Sequence, residues 1–233
     1  AVTGVQTCAL PICALWDLDS QLRRVLAGQS VGAGVATLSQ SLISRVDQHP
    51  DAALYLVVRP ADPRFALYAL QHALHCATVG LVLSRQLAWS TEDQARLVAA
   101  ALTMNVSTLE LQAQMAVQSD PPTARQRQQI HEHPLASEAL LCQAGVTDEG
   151  WLRAVREHHE RPGGGGYPAG LQSLSPLAHA LRTVDVFTAK ISSRAIREPL
   201  PIQVAAKQLF QEEKGGQMAT GLIKCMGLYR SEE

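Results

Sequence analysis

The sequence has 233 residues, 46% of them hydrophobic, which is enough for one core and short for two full domains. The 20 basic and 21 acidic residues give a formal net charge of −1, and no basic run with interleaved aromatic residues indicates a nucleic-acid groove. The five cysteines form no CxxC pair, so we expect core thiols in a cytoplasmic protein and neither a disulfide framework nor a cysteine zinc site. No apolar run reaches transmembrane length, so we expect no membrane span.

The first residues differ in origin from the rest, in our interpretation. Residues 2–12 resemble the conceptual translation of a sequencing adapter, and we therefore treat residues 1–12 as an assembly artefact. Residues 13–62 are predicted to form an amino-terminal helical segment, truncated upstream, and residues 63–233 the main domain. Helical spacing predicts helices over 15–28 and 35–46, whereas residues 53–58 fit either a buried strand or a helical turn.

The main domain is predicted to begin with a long helix from Pro63 to about Leu87. The inward face of this helix carries His72 among apolar residues. Ser90 is a predicted N-cap of the next helix, whose apolar stripe ends at Met104 and Asn105. Those two positions are therefore expected to face the same interior as His72.

Two further helices are expected to carry histidines at their ends. A capping-box pattern at Thr123 starts the first, which we predict to end before His133, because Pro134 disfavours helical geometry in the preceding residue. Thr147 is predicted to cap the second helix, whose stripe continues into His158 and His159. Both imidazoles should then lie beside the negative end of the helix dipole, which favours a cation.

A glycine run and a Tyr-Pro pair follow the two histidines, and Ser175-Pro176 begins the next predicted helix. Asp185 falls on the apolar face of that helix, where a carboxylate requires a cation or hydrogen-bond donors as partner. Residues 202–210 and 218–228 have the pattern of closing amphipathic helices. With no convincing run of strands, the predicted fold class is all-α.

Five polar side chains from four separate predicted helical segments should therefore meet in one interior. They are His72, His133, His158, His159 and Asp185. Four imidazoles and one carboxylate form a nitrogen-rich donor set, which suits iron, manganese or zinc better than magnesium or calcium.

The motif HHExxxxxGYP, together with His133-Pro134 and the motif around Asp185, resembles the HD-GYP family from about Pro63 to Tyr229. This resemblance implies the helical bundle of the HD superfamily as the fold. As the activity, it implies that of a bacterial metal-dependent phosphodiesterase of cyclic di-GMP signalling. The five residues above would be metal ligands, and a GGDEF-domain protein is a conceivable partner. Substrate contacts would come from Gly166, Tyr167, Pro168, Arg194 and Arg197. The two arginines lie one helical turn apart, which suits the binding of one phosphate and equally suits two solvated side chains.

The sequence departs from the family at its name-giving dyad. Met104-Asn105 stands in place of His-Asp, and Thr108 in place of a lysine. Gly163 replaces the usual aspartate, and Tyr68 a frequent glutamate ligand. No catalytic residue of the dyad is intact, so the site is incomplete for two metals, although His133, His158 and His159 could hold a single transition metal.

Three interpretations therefore remain open. The chain could be a degenerate domain with weak or lost phosphodiesterase activity that serves as a nucleotide-responsive or protein-interaction module. It could be an active phosphodiesterase or phosphohydrolase that uses one metal or a rearranged metal centre. It could also be a structural interaction domain whose histidines serve only in packing.

Overall fold

The computed structural model describes residues 6–59 and 67–228, and within them the chain is helical. The single extended pairing in this part of the chain is one bridge between Arg194 and Arg197, so the predicted all-α class is confirmed. The helices are α1 (Gln6–Leu26), α2 (Gly32–Gln48), α3 (Pro50–Val58), α4 (Tyr68–Gln86), α5 (Thr91–Thr103), α6 (Leu109–Val117), α7 (Ala124–Gln143), α8 (Glu149–Glu157), α9 (Pro176–Ile191), α10 (Ile202–Glu212) and α11 (Gln217–Cys225).

Side-chain caps fix the start of the helices that carry the site. Ser90, Thr123 and Ser175 each accept the backbone N–H three residues further on, as predicted from the sequence. The predicted cap at Thr147 is wrong by one residue, because Asp148 accepts the N–H of Trp151 at 2.8 Å and begins α8. A carboxylate at this position also complements the positive end of the helix dipole.

Helix α7 passes through Pro134, and the predicted break before His133 is therefore wrong. A proline inside a helix lacks the N–H that would bond the carbonyl four residues earlier, here that of Ile130. The imidazole of His133 donates to that carbonyl instead, with a distance of 2.6 Å from Nδ1 to the oxygen. The freed backbone acceptor is satisfied locally, and the helix continues.

Helix α4 lies at the centre of the bundle, with α5, α9 and α11 packed around it. Gly80 of α4 brings the α5 side chain of Leu97 close, since a Cβ built on this glycine would lie 3.4 Å from it. The same hydrophobic core includes Leu18 of α1 and Val35 of α2, so the amino-terminal helices add to one core.

The structure tests some of the predictions for the amino-terminal segments and leaves others untested. Residues 53–58 are helical in α3, which decides between the two alternatives left by the sequence pattern. The predicted helix start at Pro63 and the boundary between residues 62 and 63 lie outside the described residues. Helix α1 begins at Gln6, inside the segment interpreted as an artefact, and the origin of that segment stays a prediction. In the described ranges, no helix has the length and apolarity needed to cross a membrane.

Candidate metal centre

Three histidines from two neighbouring helices form one half of the site, which we call the histidine triad: His133, His158 and His159. His133 lies in the middle of α7, and His158 occupies the C-cap of α8, which ends at Glu157. One ring nitrogen of each triad residue lies within 4.8 Å of those of the other two. His133 is 3% exposed and His158 is fully buried.

Backbone carbonyls fix the tautomers of two triad members. Nδ1 of His133 lies 2.6 Å from the Ile130 carbonyl, and Nδ1 of His158 lies 2.6 Å from the Val155 carbonyl. Because a carbonyl oxygen can only accept, each Nδ1 must carry a hydrogen and donate it. In a neutral imidazole this leaves Nε2 unprotonated, with its lone pair available to a cation. Pro134 thus contributes to the site by freeing the acceptor that orients His133.

The two Nε2 atoms of His133 and His158 face each other at 3.1 Å. Two lone pairs at this distance repel unless a cation lies between them or one ring takes up a proton. Two nitrogens bound to one metal at about 2.0–2.1 Å, at roughly 90–110°, are themselves about 2.8–3.4 Å apart. The observed separation therefore fits two ligands of a single metal ion.

Protonation of the triad is strongly disfavoured. Burial and the nearby His158 lower the pKa of His133 to about 3. Burial also lowers the pKa of His158, and burial together with His158 lowers the pKa of His159 well below its usual value. The three imidazoles are therefore neutral at physiological pH, which is the form that binds metals.

The second half of the site joins His72 of α4 to Asp185 of α9. Nε2 of His72 donates to Oδ1 of Asp185 at 2.8 Å, and the two side chains are almost fully buried. Burial alone would lower the pKa of His72, but Cys76, Tyr68 and the bond to Asp185 raise it well above its usual value. Burial likewise raises the pKa of Asp185, yet His72 holds it well below its usual range. Without a metal this half is an ion pair.

The two halves adjoin. Helix α9, which carries Asp185, packs against α4 and against α8, whose C-cap is His158. All five predicted ligands thus come together in one buried region. They derive from α4, α7, the end of α8 and α9, and the apolar stripes predicted this for all of them except His133, which was expected at a helix junction.

The turn after α5, which begins at Met104 and Asn105, packs against α7. Met104 is fully buried and Asn105 is partly buried at the C-terminal end of this helix. Ser107, in the same turn, donates through Oγ to the backbone carbonyl of His133 at 3.2 Å. Thr108 is buried and bonds back to the Asn105 carbonyl at 3.2 Å. Neither dyad position nor Thr108 brings a charge to the metal region.

Glu160 organises the glycine-rich loop that follows the triad. Its carboxylate is fully buried and accepts the backbone N–H groups of Ala169 at 2.5 Å and of Gly170 and Leu171 at 3.0 Å. Gly166 allows the loop to fold closely over this residue, because an added Cβ would lie 2.4 Å from the Cα of Glu160. The loop is therefore tied to the chain directly after the triad.

Tyr167 lies between two imidazoles. Its ring stacks on His159 with centroids 4.7 Å apart and on exposed His131 with centroids 4.6 Å apart. Burial raises its pKa, which keeps the phenol neutral. Of the predicted substrate contacts in this loop, Gly166 and Tyr167 thus have visible packing roles beside the triad. Pro168, which follows them, was predicted on the family resemblance alone.

The two predicted phosphate-binding arginines donate side-chain hydrogen bonds to different partners. They lie in a tight turn after α9, where each donates its backbone N–H to the carbonyl of the other, so the expected helical spacing is wrong. Nε of Arg194 donates to the Tyr68 hydroxyl at 2.9 Å, and its guanidinium lies 4.7 Å from the centre of that ring. Tyr68 in turn stacks on His72, which links Arg194 to the site. Exposed Arg197 donates to the Ala189 carbonyl at 2.5 Å.

Sequence reasoning missed two contributors to the site. Cys76 was interpreted as a core thiol, yet it lies with His72 and Asp185 as a second group of candidate ligands. Its spacing of four residues from His72 on one helix was the available signal. His131, which stacks on Tyr167, had no sequence signal apart from its position two residues before His133.

The described helices and the buried histidine and carboxylate cluster define an all-helical domain with a candidate metal centre. A family model for the HD domain matches residues 66–217, well over half of the chain, and the chain belongs to the HD domain family. This agrees with the family resemblance noted in the sequence.

Among solved structures, Bd1817, a HDG“Y”P protein from Bdellovibrio bacteriovorus, is similar, with a TM-score of 0.68 and 17% sequence identity. The match covers 91% of this chain and 70% of that chain, and at this identity it shows a shared fold. A search of curated proteins gave no match.

Proposed function

We propose that this chain is a metal-binding domain of the HD-GYP type that recognises cyclic di-GMP or a related nucleotide. It hydrolyses the nucleotide weakly or not at all, and it acts as a nucleotide-responsive or protein-interaction module, with a GGDEF-domain protein as the partner that the resemblance suggests. The observation that carries the proposal is the pair of Nε2 atoms of His133 and His158, both fixed as acceptors and 3.1 Å apart.

The histidine triad would hold one transition metal, iron, manganese or zinc. Three neutral imidazoles form a donor set that these metals favour, and the geometry of the two facing nitrogens fits it. A metal bound there would polarise a phosphoryl oxygen and lower the pKa of a bound water. The protein's own contribution is to keep the imidazoles neutral and aligned, through burial and the two backbone carbonyls.

The substitutions at the dyad support weak or lost hydrolysis. Two divalent ions about 3.5–4 Å apart need anionic bridging to offset their repulsion. Met104 and Asn105 are uncharged, and Thr108 brings no ammonium group. His72 and Asp185 are the two ligands of the family type that the second position retains, and they form an ion pair with each other.

Nucleotide recognition would involve Arg194, Arg197 and the loop containing Gly166, Tyr167 and Pro168. In the structure the guanidinium of Arg194 bonds a neutral phenol, that of Tyr68. A phosphate oxygen would form a stronger, charge-assisted bond with this guanidinium. Calorimetric titration of metal-loaded protein with cyclic di-GMP should give binding that Arg194→Ala weakens, while Arg125→Ala, at an exposed position of α7, leaves it unchanged. Absence of binding to the wild type would overturn the nucleotide assignment.

The activity claim is tested by incubating purified protein with cyclic di-GMP and either manganese or ferrous iron. We expect no product, or turnover far below the enzymatic range. A turnover of about 1 per second or more would overturn the proposal. That outcome would favour the second candidate, a phosphodiesterase that uses one metal, for which the intact triad is the supporting observation.

A further inference from the structure

We propose that His72, Cys76 and Asp185 form a second metal site of different chemistry, in which the Cys76 thiolate supplies a ligand at the place where the dyad no longer does. The three side chains offer one nitrogen, one sulfur and one oxygen, all within 4.8 Å of one another. The inference extends the proposed function, because it adds a softer site beside the histidine triad.

The spacing of these atoms fits coordination by one ion. Cys76 follows His72 by four residues in α4, so both side chains lie on the same face of the helix. Sγ of Cys76 lies 3.6 Å from Nε2 of His72. Zinc bonds of about 2.3 Å to sulfur and about 2.0 Å to nitrogen, at a tetrahedral angle, would place these two atoms about 3.5 Å apart.

The surroundings of Cys76 are polar although the residue is fully buried. Besides Nε2 of His72, its sulfur lies 2.9 Å from the Thr188 hydroxyl, which accepts the thiol hydrogen because its own hydrogen is donated to the Val184 carbonyl at 2.7 Å. Asp185 meets the same imidazole nitrogen at 2.8 Å. A bound divalent cation would take the place of the imidazole and thiol protons, which would be released to solvent, and it would neutralise the carboxylate and thiolate.

The donor set predicts which metals bind. A thiolate with an imidazole and a carboxylate favours zinc, cobalt or ferrous iron, whereas manganese and magnesium prefer oxygen-rich sites. Three protein ligands also leave one position of a tetrahedral site for water or another ligand.

Cys225 provides a matched comparison. It is partly buried at the end of α11, its Sγ bonds the Leu222 carbonyl at 3.2 Å, and burial raises its pKa to about 12. It belongs to none of the candidate ligand groups in the described residues. Cys225→Ser should therefore leave metal binding unchanged.

Cobalt titration of metal-free protein tests the site, because a cobalt–thiolate bond gives a charge-transfer band in the near ultraviolet. We expect the wild type to bind two equivalents, one of which produces this band. Cys76→Ser should lose the band and that equivalent, while Cys225→Ser keeps both. His158→Ala should lose the other equivalent and keep the band, which shows that the sulfur site does not depend on the triad.

No band in the wild type, or a band that persists in Cys76→Ser, would overturn the second site. If one equivalent without the band then remains and His158→Ala removes it, the proposed triad site stands on its own. Should Cys76→Ser fail to fold, X-ray absorption of zinc-loaded wild type decides, because a sulfur neighbour at about 2.3 Å is expected and its absence contradicts the site.

Discussion

Pro134→Ala should weaken metal binding without weakening the fold. In the native protein Pro134 leaves the Ile130 carbonyl without its helical donor, and Nδ1 of His133 donates to it at 2.6 Å. The substitution places a backbone N–H four residues after that carbonyl, in competition with the imidazole. His133 would then populate both tautomers, and only one of them presents a free Nε2 toward His158.

The expected changes in unfolding free energy and in metal affinity follow from the same contacts. Alanine is better than proline inside a helix by about 3 kcal/mol. Loss of two buried methylene groups of the ring costs about 0.8 kcal/mol each. The net gain in unfolding free energy is about 1 kcal/mol, which would raise the Tm of a chain this long by about 2–4 °C. Loss of the bond that orients a metal-binding imidazole lowers metal affinity by about 10–100-fold.

The assay combines urea unfolding of the metal-free protein with competition titration of zinc against a chelator. Leu135→Ala is the matched control, since Leu135 is the next residue of α7 and is 48% exposed. It should change neither quantity appreciably. A folded Pro134→Ala variant with native zinc affinity would refute the view that the proline sets the tautomer of His133.

Three further changes test the loop and the polar core. Glu160→Gln leaves at least one buried loop N–H without an acceptor, which should lower the unfolding free energy measured in urea by about 1–3 kcal/mol. Glu132→Gln, at an exposed position, should leave it unchanged. Equal unfolding free energies of the two variants would contradict this role of Glu160. Gly166→Ala places its Cβ 2.4 Å from backbone atoms, so amide exchange in the loop should accelerate, and unchanged protection would contradict the close approach. Burial of the Glu213 side chain raises its pKa, but His179, Thr183 and Arg182 lower it below its ordinary value of 4.5. The ionised Glu213 carboxylate therefore stabilises the fold fully above pH 4.5, and this stabilisation is lost as the pH falls below that value. The loss of unfolding free energy caused by Glu213→Gln should therefore become smaller in acid. A loss that does not depend on pH would contradict this linkage.

Much of the fold and the convergence of the site were predictable from the sequence, because local rules decided them. Capping residues marked the starts of α5, α7 and α9, and the caps are present as hydrogen bonds. Polar residues on apolar stripes, such as His72 and Asp185, had to be buried and partnered, and these two are partners of one another.

The remaining features depend on contacts that a one-dimensional pattern does not contain. Pro134 signals a helix end, and the opposite outcome needs the imidazole of His133 to replace the missing N–H as donor to the Ile130 carbonyl. The sequence places Cys76 on the apolar stripe of α4 but does not say which side chains surround it. Only the fold reveals that its sulfur lies between His72 and Thr188. The turn at Arg194 likewise depends on pairing with Arg197 and on the approach of Tyr68.

Metal content of anaerobically purified protein tests the central claim most directly, because it requires no assumption about substrate. Mass spectrometric analysis of the wild type should find a transition metal in at least about one equivalent, and His133→Ala and His158→Ala should each lose the equivalent held by the triad. His49→Ala, at an exposed position outside the site, serves as the control and should keep it. Metal-free wild-type protein that also fails to take up zinc, iron or manganese would contradict the claim that the triad is a metal site.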